Sequence, residues 1–239
     1  MIPDAVDFTH FRRALVIKLR HHGDVLLASP VFSALKARLP GVEIDALVYD
    51  DTEEMLTQHP AIRSVHVVGR QWRNLSLLRR VDVEWSLLRR LREARYDLLI
   101  HLTDHPRGAW LARALRVPAS VAPRRGGRWW QSSFSHLYAT VAGGRRHTVE
   151  SHLDALRRIG VYPPPEARRL VLQPGAAAYA VVDSLLAAQG LSGRAFIHLH
   201  PASRWRFKCW PEERIAGLID RLHDDGYPVV MTAAPGAGE

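Results

Sequence analysis

The chain has 239 residues, 47% of them hydrophobic, enough for one full core and part or all of a second. No run of about 18 apolar residues is present, the first residues lack the apolar core of a signal peptide, and the single Cys209 excludes an internal disulfide, so the expectation is a soluble protein of a reducing, cytoplasmic compartment. The formal charge of +9, from 30 Arg and 3 Lys against 24 acidic residues, marks a surface that attracts phosphates, acidic glycolipids or nucleic acid.

Residues 14–17 are a short apolar run bounded by charge, and a turn follows at 20–23. Val25, Leu26, Leu27, Val31, Phe32, Leu35 and Leu39 then recur at helical spacing, which predicts a strand, a tight turn and a helix, the first unit of an α/β sheet. Asp24 sits where that helix begins. Its carboxylate suits an N-cap, and it equally suits a catalytic base, because open α/β sheets put their ligands at the carboxyl ends of strands. Periodicity does not choose between the two.

Residues 43–49 read as a second strand, 51–59 as a short helix and 65–68 as a third strand, an order that predicts a parallel, right-handed α/β layer. In residues 71–95, Leu75, Leu77, Leu78, Val81, Trp85, Leu88 and Leu91 form an apolar stripe with arginines over the remaining surface. Those arginines read either as a solvated helix face or as a basic surface that meets an anionic membrane. Residues 97–101 are a fourth strand. Asp104, His105 and Arg107 follow it in a polar loop, at the same sheet edge as Asp24. A strand at 120–121 leads to a loop holding Arg124, Arg125, Arg128, Trp129 and Trp130. That loop suits a phosphorylated sugar or a lipid interface, or else a mobile basic loop with one Trp packed beneath it.

A helix spans 149–159, and the three prolines 163–165 mark a stiff break. The expected boundary lies there, with a first domain over 1–165 and a second over 166–239. The second begins with an Ala-rich helix at 176–189, then a strand at 195–200, a helix at 211–225 and a strand at 229–231. It is too small to complete an α/β layer, so the chain reads as cut off.

Several site types are excluded. The first turn has one glycine, Gly23, and not the three of the dinucleotide fingerprint. No Gly-rich loop ends in Lys-Ser or Lys-Thr, no His pair has zinc spacing with a third ligand, and no Gly-x-Ser-x-Gly elbow occurs.

Residues 16–27, together with 29–36 and 44–49, resemble the opening of the lipopolysaccharide heptosyltransferases, glycosyltransferase family 9. The Arg-His-His variant at 20–22, with Arg204-Trp205 and 207–211, is similar to the heptosyltransferase III branch. The resemblance implies a GT-B fold: two Rossmann-like domains with the active site in the cleft between them, the first for the acceptor and the second for the donor. It implies inverting, metal-independent transfer of heptose from ADP-heptose to the lipopolysaccharide inner core, without a cofactor, at the cytoplasmic face of the inner membrane, with nucleic acid as no partner. Asp24 matches the general base, Lys208 the diphosphate-binding lysine, Ala202 and Ser203 the donor-contacting pair, and Glu239 an acidic donor contact. Arg20, His21, Gly23 and Asp104 fall on the acceptor side, and charge adds Arg124, Arg125 and Arg128. The family's Asp-x-Gly-x-x-His segment is absent, so weak donor binding and little turnover are expected of these 239 residues. Two rivals stand beside this reading: a GT-B enzyme with another nucleotide sugar, and a basic, non-catalytic module for anionic lipid or nucleic acid.

Overall fold

The computed structural model describes residues 6–19, 21–140, 146–203 and 206–233. The chain divides into two compact units, the first ending at Gly175 and the second beginning at Ala176. In the first, β1 (Arg13–Ile17), β2 (Glu43–Tyr49), β3 (Ser64–Val68), β4 (Leu98–His101), β5 (Ala119–Pro123) and β6 (His136–Tyr138) form one all-parallel sheet. Their spatial order is β3-β2-β1-β4-β5-β6. The direction of winding reverses between β1 and β4, so helices are laid on both faces and a crevice opens beyond the strand ends at the reversal.

The helices are α1 (His22–Leu26), α2 (Ser29–Arg38), α3 (Leu77–Glu93), α4 (Pro106–Leu115), α5 (Arg128–Gln131) and α6 (Thr148–Arg158). Strand periodicity sorts the core into two. Ala14 and Val16 of β1 face α2 and α6, joining Ile44, Ala46, Ile100, Phe32, Leu35, Leu153 and Leu156. Leu15 and Ile17 face the other way, joining Leu47, Leu99, Leu87, Leu91, Leu111, Trp130 and Phe134. Strands buried on both faces read as continuous apolar runs, as 14–17 does. One carboxylate is buried within this sheet. Asp45 of β2 is fully buried, and its carboxylate accepts from the Tyr96 hydroxyl at 2.6 Å and from Arg63 Nε at 3.0 Å. Burial alone raises its pKa, but hydrogen bonds from His66, Arg63 and Tyr96 outweigh that and hold it at about 2.

Three expectations are corrected. The stripe on α3 is only partly a core face: Leu88 and Leu91 are buried, whereas Leu77, Leu78, Val81 and Trp85 are exposed. The short helix expected over 51–59 is a 3-10 turn, Asp50–Met55. The stretch between β5 and α6 contains α5 and the parallel strand β6, which the sequence reading did not anticipate.

Residues after the three prolines stay against the first unit. A 3-10 turn, Pro165–Arg168, follows them, Arg168 pairs with Glu150, and the Val171 N–H donates to Ser29 Oγ at 3.0 Å. The second unit holds α7 (Ala176–Ala188), β7 (Ile197–Leu199), a 3-10 turn (Arg206–Lys208), α8 (Glu212–Asp224) and β8 (Val229–Met231). Strands β7 and β8 pair in parallel with α8 as part of the crossover. No described residue of this unit is buried.

Candidate functional site

A cleft of about 300 Å³ opens at the carboxyl ends of β1, β4, β5 and β6. Each strand delivers part of its wall: Lys18 just after β1, Leu102, Thr103 and Asp104 after β4, Pro123 and Arg125 at and beyond the end of β5, and Tyr138 at the end of β6. Asp24 enters from α1, and Ser151 and His152 from α6.

Asp24 is the third residue of α1 and half-buried. The expected cap is corrected: His21 occupies the N-cap position in an extended conformation, and no side chain caps the helix. The Asp24 carboxylate makes no hydrogen bond or ion pair among the described residues and lines the cleft. Among the described residues, nothing occupies the lone pairs that a general base would use.

Lys18 is 6% exposed, an uncommon burial for a lysine. Its Nζ lies 3.0 Å from His152 Nε2 and 3.4 Å from the Leu102 carbonyl oxygen. His152 Nδ1 lies 3.0 Å from the carbonyl oxygen of Leu27. A carbonyl only accepts, so Nδ1 carries the proton and Nε2 accepts from the Lys18 ammonium. Burial, then the charge of Lys18, push the His152 pKa down to about 3, which keeps the ring neutral and able to accept. The loop after β4 is pinned as well: Leu102 N–H donates to the Ile17 carbonyl at 3.0 Å, and Leu19 N–H to Thr103 Oγ1 at 3.1 Å. Burial raises the pKa of the Tyr138 hydroxyl and keeps it neutral. At the mouth, Arg125 pairs with Asp104 at 3.3 Å. The cleft is thus lined by a carboxylate unpaired among the described residues, a fixed ammonium and an exposed ion pair.

Of the residues expected from sequence, Asp24, Asp104 and Arg125 line this cleft. His21 and Gly23 adjoin Asp24 on α1 without lining it. Arg124 and Arg128 are exposed and lie outside the lining. Trp130 packs beneath their loop, its Nε1 donating to the Pro123 carbonyl at 3.0 Å. Arg20 and Glu239 lie outside the described residues. Sequence reasoning assigned no role to Lys18, His152 or Tyr138. A lysine directly ending an apolar strand, in a chain with three, was the available signal for the first.

Further along the same edge, a hollow of about 320 Å³ is lined by Tyr49, Arg70, Arg73, Arg80 and Arg107 among others. The Arg70 guanidinium sits 4.4 Å from the Tyr49 ring centroid, and Arg107 is held by Glu84, with Nη2 to Oε1 at 2.6 Å. In the second unit, Ala202 and Ser203 line a hollow of about 880 Å³ with Cys209, Pro211 and the first residues of α8. Lys208 is exposed outside that lining, its Nζ 5.8 Å from the Phe207 ring centroid.

The family model for glycosyltransferase family 9 (heptosyltransferase) matches residues 84–239. Lipopolysaccharide heptosyltransferase 3 of Escherichia coli is 31% identical over 230 residues, covering 91% of this chain and 62% of that protein. Lipopolysaccharide heptosyltransferase 1 of Pseudomonas aeruginosa is 27% identical over 220 residues, covering 91% of this chain and 59% of that protein. The chain therefore spans about three fifths of the length of these curated relatives. Among solved structures, a family 9 glycosyl transferase from Veillonella parvula superposes with a TM-score of 0.82 at 20% identity, over 97% of this chain and 65% of that one. The E. coli heptosyltransferase WaaC with ADP-2-deoxy-2-fluoro heptose superposes with a TM-score of 0.68 at 20% identity, over 93% of this chain and 70% of that one. These likenesses show the fold.

Proposed function

This chain belongs to glycosyltransferase family 9 (heptosyltransferase), and from that premise we propose that the whole protein transfers a heptose from ADP-heptose to the inner core of lipopolysaccharide. The proposal includes a GT-B architecture in which the first unit holds the acceptor and the second begins the donor domain, and a peripheral station at the cytoplasmic face of the inner membrane. The observation that carries it is the half-buried, unengaged Asp24 carboxylate in a cleft with the fixed Lys18 ammonium at the carboxyl edge of the sheet.

In this reading the acceptor hydroxyl approaches Asp24, which takes its proton as the oxygen attacks the anomeric carbon. The bond from that carbon to the diphosphate oxygen breaks in the same displacement, so the configuration inverts and ADP leaves with the bonding pair. No metal takes part; Lys208, with Ala202 and Ser203 beside the nucleotide, offsets the charge that builds on the diphosphate. Lys18 orients the acceptor by donating to its oxygens. Arg125 and the arginines of the neighbouring hollow meet the phosphates of the core sugars. With no buried residue among the described residues of its second unit, this chain holds donor weakly and turns over little or not at all.

Asp24→Asn tests the base. In the complete protein it should lower kcat by about 10²- to 10⁴-fold with little change in acceptor binding. Transfer at the unsubstituted rate would exclude the base role. A thermal-shift series of ADP-heptose against UDP-sugars separates this donor from another nucleotide sugar. The rival reading as a binding module draws on the net charge of +9 and the arginine-rich surfaces, and it requires that Asp24→Asn leave binding of an anionic partner nearly unchanged.

A further inference from the structure

We infer that the outer surface of the α3–α4–α5 layer docks on an anionic lipid bilayer. Three exposed tryptophans are linked across it. Trp85 of α3 and Trp110 of α4 share a groove of about 460 Å³ with Leu77 and Val81. Trp110 and Trp129 of α5 share the next hollow, of about 830 Å³. These rings are about half exposed or more, and Leu77 and Leu78 at the start of α3 are 76% and 84% exposed. Scattered single apolar residues on a surface are ordinary, whereas a connected set of this kind marks a site of association.

The same surface is basic. Arg92 lies 6.0 Å from the Trp85 ring and Arg113 5.8 Å from the Trp129 ring. Arg95 and Arg116 line the second hollow. On α3, Glu84 is engaged by Arg107 and Glu93 by Arg89, which leaves Asp82 against Arg79, Arg80 and Arg90, none of them in an ion pair among the described residues. Indole rings interleaved with arginines, beside fully presented leucines, match a headgroup layer with acyl chains directly beneath it. A nucleic-acid strand would satisfy the arginines but leave Leu77 and Leu78 in water. The membrane location is shared with the proposed function. Vesicles free of lipopolysaccharide test the docking without transfer chemistry, so either idea fails without the other.

The experiment is sedimentation of the chain with vesicles of phosphatidylethanolamine and phosphatidylglycerol, against phosphatidylcholine alone. Anionic vesicles should bind at least tenfold more tightly, and added salt should weaken the binding. Leu78→Glu with Trp85→Ser should lose tenfold or more. Arg79→Ser and Arg80→Ser should each lose about fivefold. Leu185→Glu, on the second unit, should lose nothing. Quenching of the unsubstituted chain's tryptophan fluorescence by brominated acyl chains reads insertion without any variant, and Trp85→Phe should reduce it. Equal binding to both vesicle types, unchanged binding by the Leu78/Trp85 variant, or absence of quenching would each overturn the inference. So would a dimer, in solution without vesicles, that the same variant dissolves, or vesicle binding abolished by duplex DNA that leaves the two leucines uncovered.

Discussion

Burial depresses the pKa of three histidines in the first unit, His59, His101 and His152, and the last two tie stability to pH most strongly. His101 is fully buried; its ring lies nearly parallel to Phe134 at 5.9 Å, its Nε2 is 3.2 Å from the His105 carbonyl oxygen, and its Nδ1 has no partner among the described residues. Burial pushes its pKa down to about 3, the same value that burial and Lys18 impose on His152. The unfolded chain protonates both near 6.5, so stability is complete above that pH and declines as the pH falls towards about 3. Each ring should cost about 2 kcal/mol of stability at about pH 5 relative to pH 7. Urea midpoints at the two pH values check this, and His152→Gln should remove about 2 kcal/mol of the difference. His152 also governs the site, because its neutral Nε2 is what fixes the Lys18 ammonium beside Asp24.

At the level of elements, α4 is seated on the sheet by the absence of a side chain. A Cβ placed on Gly108 would stand 2.2 Å from His101 Nε2. The His101 ring is wedged between Trp130 and Phe134, with centroids at 5.5 and 5.9 Å, and has nowhere to turn. Gly108→Ala should therefore cost about 1–3 kcal/mol, despite the better helix propensity of alanine. Thermal unfolding measures it, and Gly23→Ala, whose Cβ would meet nothing within 4 Å, is the matched control. The same helix is anchored at its start by His105, whose ring accepts from the Arg107 N–H at 3.2 Å. The loop carrying Asp104 is thereby placed at the rim of the cleft.

Across the whole molecule, stability is unevenly distributed. The first unit has two cores on the two faces of one sheet. The second exposes Leu185 at 63%, Val181 at 60% and Met231 at 60% and buries nothing among its described residues. A helix as apolar on all sides as α7 needs cover it does not receive here. Local opening of such a unit costs little free energy. Limited trypsin digestion should therefore cut first at Arg194, Arg206, Lys208, Arg214 and Arg221, leaving a resistant fragment that ends at Arg169 or Arg194. Equal resistance of both units, read by intact mass, would contradict this account.

Much was legible without coordinates. The apolar run at 14–17, the helical spacing behind it and the alternation of strand and helix required a parallel α/β layer, because only strands buried on both faces tolerate such runs. The placement of Asp24 at a strand end followed from the same pattern, as did Asp104 after β4. Strand β6 was not legible: three residues, His136–Tyr138, carry no periodicity and become a strand only by pairing with β5. Tyr138 could not be assigned to the site without that pairing. The partnership of Lys18 with His152 spans 134 positions of sequence and exists only because α6 packs beside the end of β1. The apolar stripe of α3 reads identically whether it is covered or bare, since periodicity records that a face is apolar and not what meets it. Local pattern determined which elements form. Which side chains share a cleft, and which apolar face is left bare, was decided by long-range packing.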